Sequence, residues 1–424
     1  MKKIPTYPML RWAKDLFPLC RSLTGKGTSR TLRYFKNINK EFKILKFKSG
    51  SKVFDWKIPE VWNIKDAYIE HESKKKFAQF SKCNLHIVGY STPVNKTLRK
   101  KNLLKYIYTQ KNQPSAIPYV TSYYKKRWGF CLSENEKKKL PNGNYKVFID
   151  SSFNKGAMEM MHLKLKGKMK KEIFFSSYIC HPSMANNELS GPVLLNAIAK
   201  YIKEKYPKRQ YSYRMVLLPE TIGSIAYISK FKNEMKKNII CGFNLTCVGD
   251  ERAYTIISSP EGNTLADDAL KSSLFGKKNM KIYSFLNRGS DERQYCAPGI
   301  DLPLCRFSRS KEYPEYHTNK DDFNVVTQKG LMESLEVFTN IIDAFELGLY
   351  PKTKIICEPN LGKRNLYPTL SQKGVYDDKV ITRNDLIAYS NGKRNVFQIS
   401  NILNKNLSIV SEEYKLLKSK KILT

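Results

Sequence analysis

Ser176-Ser-Tyr-Ile-Cys-His-Pro-Ser-Met-Ala-Asn-Asn-Glu-Leu-Ser-Gly191 is the stretch on which the fold reading turns. It begins inside an apolar run, Ile173 to Tyr178, that reads as a buried strand. It ends where Leu194, Leu195, Ile198, Tyr201 and Ile202 recur at helical spacing. Pro192 suits the first turn of that helix. His181 therefore falls just past a strand, and Asn186, Asn187 and Glu188 lie on the polar loop that opens the helix.

The same alternation runs on from about 156 to 348. Tyr213 to Leu218, Ile239 to Val248, Met280 to Phe285 and Leu302 to Phe307 read as strands. Ile225 to Phe231, Leu265 to Leu274 and Gly330 to Leu347 read as helices. Such alternation predicts an α/β sheet with helices on both faces. Ligands of these sheets collect beyond the carboxyl ends of strands. His181, Glu220 in Leu217-Leu-Pro-Glu-Thr-Ile-Gly-Ser and the segment after Val248 then share one rim.

Residues 1–48 read as helical. Residues 49–155 carry short β-prone runs such as Lys52 to Ile58 and Asn84 to Tyr90, punctuated by Pro, Asn and Gly, and predict an inserted, mainly β domain. Its aromatic run Tyr119 to Trp128 reads as core of that domain or as lining of a cleft shared with the rim. After Pro351, Pro359, Gly362 and Pro368, the order helix, turn, helix, helix in residues 349–424 fits a winged-helix-like module. Val396, Ile399 and Leu403 share one face there, Val410, Tyr414 and Leu417 another, and Ser408 is placed to cap the last helix. The domain reading is thus 1–48 with 156–348, then 49–155 inserted, then 349–424.

Composition bounds the rest. A chain of 424 residues exceeds one ordinary core. No apolar run is long enough for a membrane span, and Arg11, Lys14 and Asp15 interrupt the start, against a signal peptide. Nine scattered cysteines without a Cys-x-x-Cys pair predict reduced thiols and a cytoplasmic setting. The net charge of +37 invites a nucleic-acid partner. The excess is spread along the chain, as on a lysine-rich soluble surface, so DNA binding through residues 349–424 stands as a secondary expectation. Self-association is left open.

The chemistry rests on two of only five histidines. A zinc hydrolase needs a few protein ligands, an open position and a carboxylate beside the water. His181 and His317, the latter in Glu315-Tyr-His-Thr-Asn-Lys-Asp-Asp, can supply imidazoles. Glu220 is the candidate general base, with capping of the following helix as its plainer role. Asp291, Glu292 and Arg293 of Gly289-Ser-Asp-Glu-Arg, with Tyr316, are candidates for holding substrate. Asp321 and Asp322, like Asp291, are candidates for orienting a ligand histidine or holding a substrate amine. Cys180 points away from His181 on a strand and reads as buried. His71, His86 and His162 lie outside any metal-like frame.

These stretches carry a resemblance. With Leu16-Phe-Pro-Leu-Cys-Arg-Ser-Leu-Thr-Gly, Leu245-Thr-Cys-Val-Gly-Asp, Gly289-Ser-Asp-Glu-Arg-Gln-Tyr and Tyr316-His-Thr, the chain resembles a bacterial family with an aminopeptidase-like catalytic domain, an inserted β domain and a C-terminal winged helix. Members tend to accompany surface-polysaccharide loci. The resemblance implies an α/β, zinc-aminopeptidase-like (phosphorylase/hydrolase-like) mixed sheet flanked by helices. It implies one zinc ion at His181, His317 and the Asn187 position, and a small peptide or amino-sugar-like substrate. The aminopeptidase pattern has Asp where this chain has Asn187, a second Glu where it has Thr221, and Asp where it has Thr246. An amide oxygen brings no charge to a cation. A catalytically impaired protein that binds a small molecule or partner is therefore the alternative, and a DNA-binding regulator is a third.

Overall fold

The computed structural model describes residues 4–367 and 377–424. Pro368 and the first three residues fall outside them. Eight strands form one mixed sheet in the order Lys43–Lys48, Ala157–Leu165, Ser212–Leu218, Glu172–Tyr178, Ile239–Leu245, Leu304–Ser308, Tyr254–Ile257, Met280–Tyr283. The four central strands, Ser212–Leu218, Glu172–Tyr178, Ile239–Leu245 and Leu304–Ser308, are mutually parallel. Glu172–Tyr178 and Ser212–Leu218 are buried at every residue, as strands covered on both faces must be. Their carboxyl ends deliver His181 and Glu220 to the same edge of the sheet.

The helices Ser190–Lys205, Gln328–Leu347 and Leu265–Leu274 cover one face. Phe338 sits at the centre of that layer against Phe175, Phe243 and Phe307, with ring centroids 5.2 to 5.6 Å apart. Truncating such a buried ring costs about 3–5 kcal/mol. The other face is covered by Ile222–Asn238 over Phe174, Val216 and Leu304.

Residues 43–48, expected to be helical, form an edge strand paired antiparallel with Ala157–Leu165. Two earlier helices, Met9–Leu16 and Lys26–Ile38, do form. Between the edge strand and its partner lies a four-stranded sheet, ordered Lys76–Phe77, Val61–His71, Asn144–Asn154, Val94–Arg99. Tyr145, Val147 and Ile149 alternate into its core. Asn84 to Tyr90, expected as a strand, instead contains the short 3-10 turn Asn84–His86.

The C-terminal helices Asp378–Tyr389, Val396–Ile402 and Leu407–Ser419 pack into the main core. Phe397 meets Phe345 of the long helix at 5.1 Å. Asn406, not Ser408, caps the last helix: its Oδ1 accepts from the Ser408 N–H, while its Nδ2 donates to the carbonyls of Ser273 (3.0 Å) and Phe275 (2.8 Å). The start of that helix is therefore fastened to the α/β part. Among the described residues no helix is long and apolar enough to cross a membrane.

Candidate active site

The loop after His181 is a single π turn, Ala185–Leu189, leading into the Ser190–Lys205 helix. Its free N–H groups need acceptors. Asp321 supplies them: Oδ1 accepts from Asn186 N at 2.6 Å and Oδ2 from Asn187 N at 2.8 Å, with the Tyr313 hydroxyl donating at 2.8 Å. Burial raises the Asp321 carboxyl to about 6 against these donors. Asp321 thus shapes the loop. Asp322 accepts from its own neighbour, Asn324 N. Neither meets an imidazole through a hydrogen bond.

His181 is buried, not displayed on an open rim. Its Nδ1 lies 3.0 Å from Glu188 Oε2, and its Nε2 lies 3.8 Å from Glu220 Oε2. Burial would lower its pKa, but the hydrogen bond and charge of Glu188 outweigh burial and raise it. Arg21, also buried, stands 3.4 Å from Glu188 Oε1 and donates to the His181 carbonyl at 3.0 Å. Cys180 Sγ is 3.5 Å from His181 Nδ1, so it does not point to the far side as strand alternation predicts. The strand has ended at Tyr178 and the alternation with it. Burial holds the Cys180 thiol well above its ordinary pKa. Cys180, His181 and Glu188 offer ligand atoms within 4.8 Å of one another.

His317 faces His181 with ring centroids 5.6 Å apart. Among the described residues its buried Nε2 has no hydrogen-bond partner. Burial, and then the proximity of His181, lower its pKa to about 3, so the ring is neutral. Tyr316 stacks on it at 3.9 Å. Tyr119, from the inserted segment, packs against His181 at 5.1 Å and His317 at 5.2 Å, and its N–H donates to the His317 carbonyl. Tyr119 thus covers both histidines.

Asn187 is buried with its Oδ1 accepting from the Tyr178 hydroxyl at 2.8 Å. Glu220 Oε1 accepts from Ser290 Oγ at 2.6 Å, leaving Oε2 toward His181; its side chain does not cap the helix that follows. Asp291 is fully buried and accepts from Thr221 N and Ser224 Oγ, both at 2.7 Å. Its Oδ2 has no hydrogen-bond partner among the described residues. Burial, and then the charge of Glu220, push this carboxyl up to about 8. Glu292 points inward, accepting from Gly289 N, Ser290 N and Asn244 Nδ2. Arg293 donates to Thr221 Oγ1 at 2.9 Å.

Left-handed backbone gathers here. Ser183, Thr221, Cys247 and His317 have φ of +43°, +66°, +53° and +57°. Each such residue costs about 1–3 kcal/mol and is held only by its surroundings. For Thr221 the restraint is the hydrogen bond to Asp291. His71, His86 and His162 meet Ser73, the Cys131 carbonyl and Tyr227 respectively. Sequence reasoning passed over Arg21, Ser290 and Tyr178. Arg21 carried a signal, as a lone cation inside the apolar Phe17-Pro-Leu-Cys-Arg run.

The architecture is an aminopeptidase-like mixed α/β sheet flanked by helices and joined to a winged helix. A family described as a domain of unknown function, DUF4910, matches residues 10–348, and the chain belongs to that family. A winged helix-turn-helix family matches residues 349–424. A Clostridium acetobutylicum protein, named for polysaccharide biosynthesis and an aminopeptidase-like domain, is 36% identical over 394 residues, 91% of this chain and 89% of its own length. A crystal structure from the same organism, named as a peptidase, shares 33% identity with a TM-score of 0.89, covering 98% of this chain and 95% of that one. The zinc aminopeptidase of Bacillus subtilis matches at 11% identity and TM-score 0.59, over 80% of this chain and 95% of its own, a likeness of fold.

Proposed function

We propose that the chain is a zinc-dependent amide hydrolase of aminopeptidase type. Its substrate is a small peptide or amino-sugar-like molecule, cleaved near a free amine. The observation that carries this reading is the orphaned, buried Nε2 of neutral His317 opposite His181, whose own Nε2 faces Glu220. Two imidazoles and a nearby carboxylate fit zinc chemistry. His181 and His317 would hold the ion, with the Asn187 amide oxygen in the third position. A bound zinc ion would polarise the amide carbonyl and acidify water.

The chain's own residues supply the rest. Glu188 holds His181 by Nδ1 and leaves Nε2 free. Ser290 fixes one oxygen of Glu220, so that the other is placed to take a proton from the attacking water and return it to the leaving amine. Asp291 holds the Thr221 backbone and with it the position of Glu220. Tyr119 and Tyr316 exclude bulk water from the imidazoles. We place this activity in the cytoplasm and in surface-polysaccharide metabolism, for which the unpaired cysteines and the relative's name are the support.

A panel of aminoacyl amides and N-acyl amino sugars, assayed with zinc-loaded protein, tests the reading. Turnover that Glu220→Gln abolishes while zinc stays bound is expected. Zinc-loaded protein that cleaves none of them favours a second reading, a site that binds without turnover. That reading draws on the Asn187 amide, which brings no charge and is already engaged by Tyr178.

A further inference from the structure

Four arginines in this chain illustrate how a buried guanidinium is normally treated. Arg214 gives two hydrogen bonds to Glu172 and one to Tyr227. Arg309 meets Glu333 and the Ala253 carbonyl. Arg383 meets Glu413 and the Leu366 carbonyl. Arg21 meets the carbonyls of His181 and Leu16 and stands 3.4 Å from Glu188, with only its Nη2 left without a partner among the described residues. Buried charges are held this way because an unpaired one is costly.

Arg306 departs from the pattern. Its side chain is nine-tenths buried, yet only Nε donates, to Ser308 Oγ at 3.2 Å. Among the described residues neither Nη nitrogen has a hydrogen-bond acceptor. The nearest carboxylate oxygen, Glu292 Oε1, is 3.8 Å from Nη1 and already accepts from two backbone N–H groups. The guanidinium borders a cavity of about 620 Å³ also lined by Arg288, Lys311, Tyr313 and Tyr316. Gly289 also lines the cavity, beside Arg306 Nη1. The cavity has three cations against one carboxylate, Glu312, which pairs with Lys311 at 2.9 Å. Tyr316 is its shared wall with the histidine pair, because the same ring stacks on His317.

We infer that this cavity binds an oxyanion, a carboxylate or a phosphate, carried by the molecule whose amide bond reaches His181 and His317. The inference rests on the proposed hydrolase reading for what lies on the other side of Tyr316, but the anion site itself does not. The unspent Nη donors of Arg306 suit two oxygens of one anionic group, the geometry in which guanidinium binds most strongly. Arg288 and Lys311 add attraction at the mouth. The substrate is then an acidic one, recognised at one end by charge and cut at the other.

Calorimetric titration of the full-length protein, with and without zinc, tests this. The probes are inorganic phosphate, glycylglycine and glycylglycinamide. Saturable binding of phosphate or of glycylglycine, weakened about tenfold or more in Arg306→Gln, is expected, with glycylglycinamide bound weakly. Phosphate alone assigns a phosphorylated substrate, and the free dipeptide alone assigns a carboxylate. Should Arg306→Gln fail to fold, the Arg288→Gln, Lys311→Gln double variant carries the test, with a severalfold loss expected. No saturable binding of either anion, or equal binding in the folded variants, overturns the inference. Anion binding without any amide turnover would leave it standing while the hydrolase reading fails.

Discussion

Glu188 Oε2 meets His181 Nδ1 at 3.0 Å, and that contact decides which imidazole nitrogen remains for the centre. Carboxylate partners of this kind fix the tautomer and ring orientation of a metal-binding histidine. Glu188 in turn neutralises Arg21, so one carboxylate serves both the site and a buried cation.

Replacing Glu188 with Ala should therefore do two things. It leaves Arg21 buried and uncompensated, which costs about 3–5 kcal/mol in urea unfolding. It also frees the His181 ring, lowering zinc affinity about 10–100-fold. Unchanged zinc affinity in a folded variant would show that Glu188 does not orient the ligand.

Asn187→Asp should separate metal from no metal. Without zinc, a buried carboxylate at this position destabilises the fold and lowers Tm. With zinc the charge is compensated, affinity rises above that of the natural chain, and Tm recovers. A variant whose zinc affinity matches the natural protein would mean that Asn187 does not weaken the site.

His162 gives a pH signature away from the site. Burial, and then Arg214 and Lys43, lower its pKa from 6.5 to about 4. The unfolded chain binds the proton first, so this group's contribution is intact above pH 6.5 and is lost as pH falls toward 4. The stability of His162→Gln should fall less steeply over that window. Parallel curves would count against the shift.

The fastening of residues 349–424 can be measured at Asn406. It caps the last helix and binds two carbonyls of the α/β part. Asn406→Ala should cost about 1–2 kcal/mol in urea. Used as a DNA reader, this module would give duplex affinity that falls steeply with salt.

The α/β core was legible because its strands are continuous apolar runs bounded by helical periodicity, as in Glu172–Tyr178 followed by Ser190–Lys205. The edge strand Lys43–Lys48 was not, since a half-exposed run of Lys alternating with Ile, Leu and Phe carries little signal beside a preceding helix. His181, His317 and Glu220 stand out by local frame, and the structure brings them together. Tyr119 did not announce its contact with both imidazoles, because nothing local encodes a contact across 198 residues to His317. Arg306 sits in mid-strand, where its unspent donors become visible only once every neighbour is placed.

The most direct test is zinc content by mass spectrometry on untagged protein, before and after zinc addition and gel filtration. About one zinc per chain is expected, lost in His181→Ala and in His317→Ala. No retained zinc, or retention unchanged by both substitutions, would contradict it.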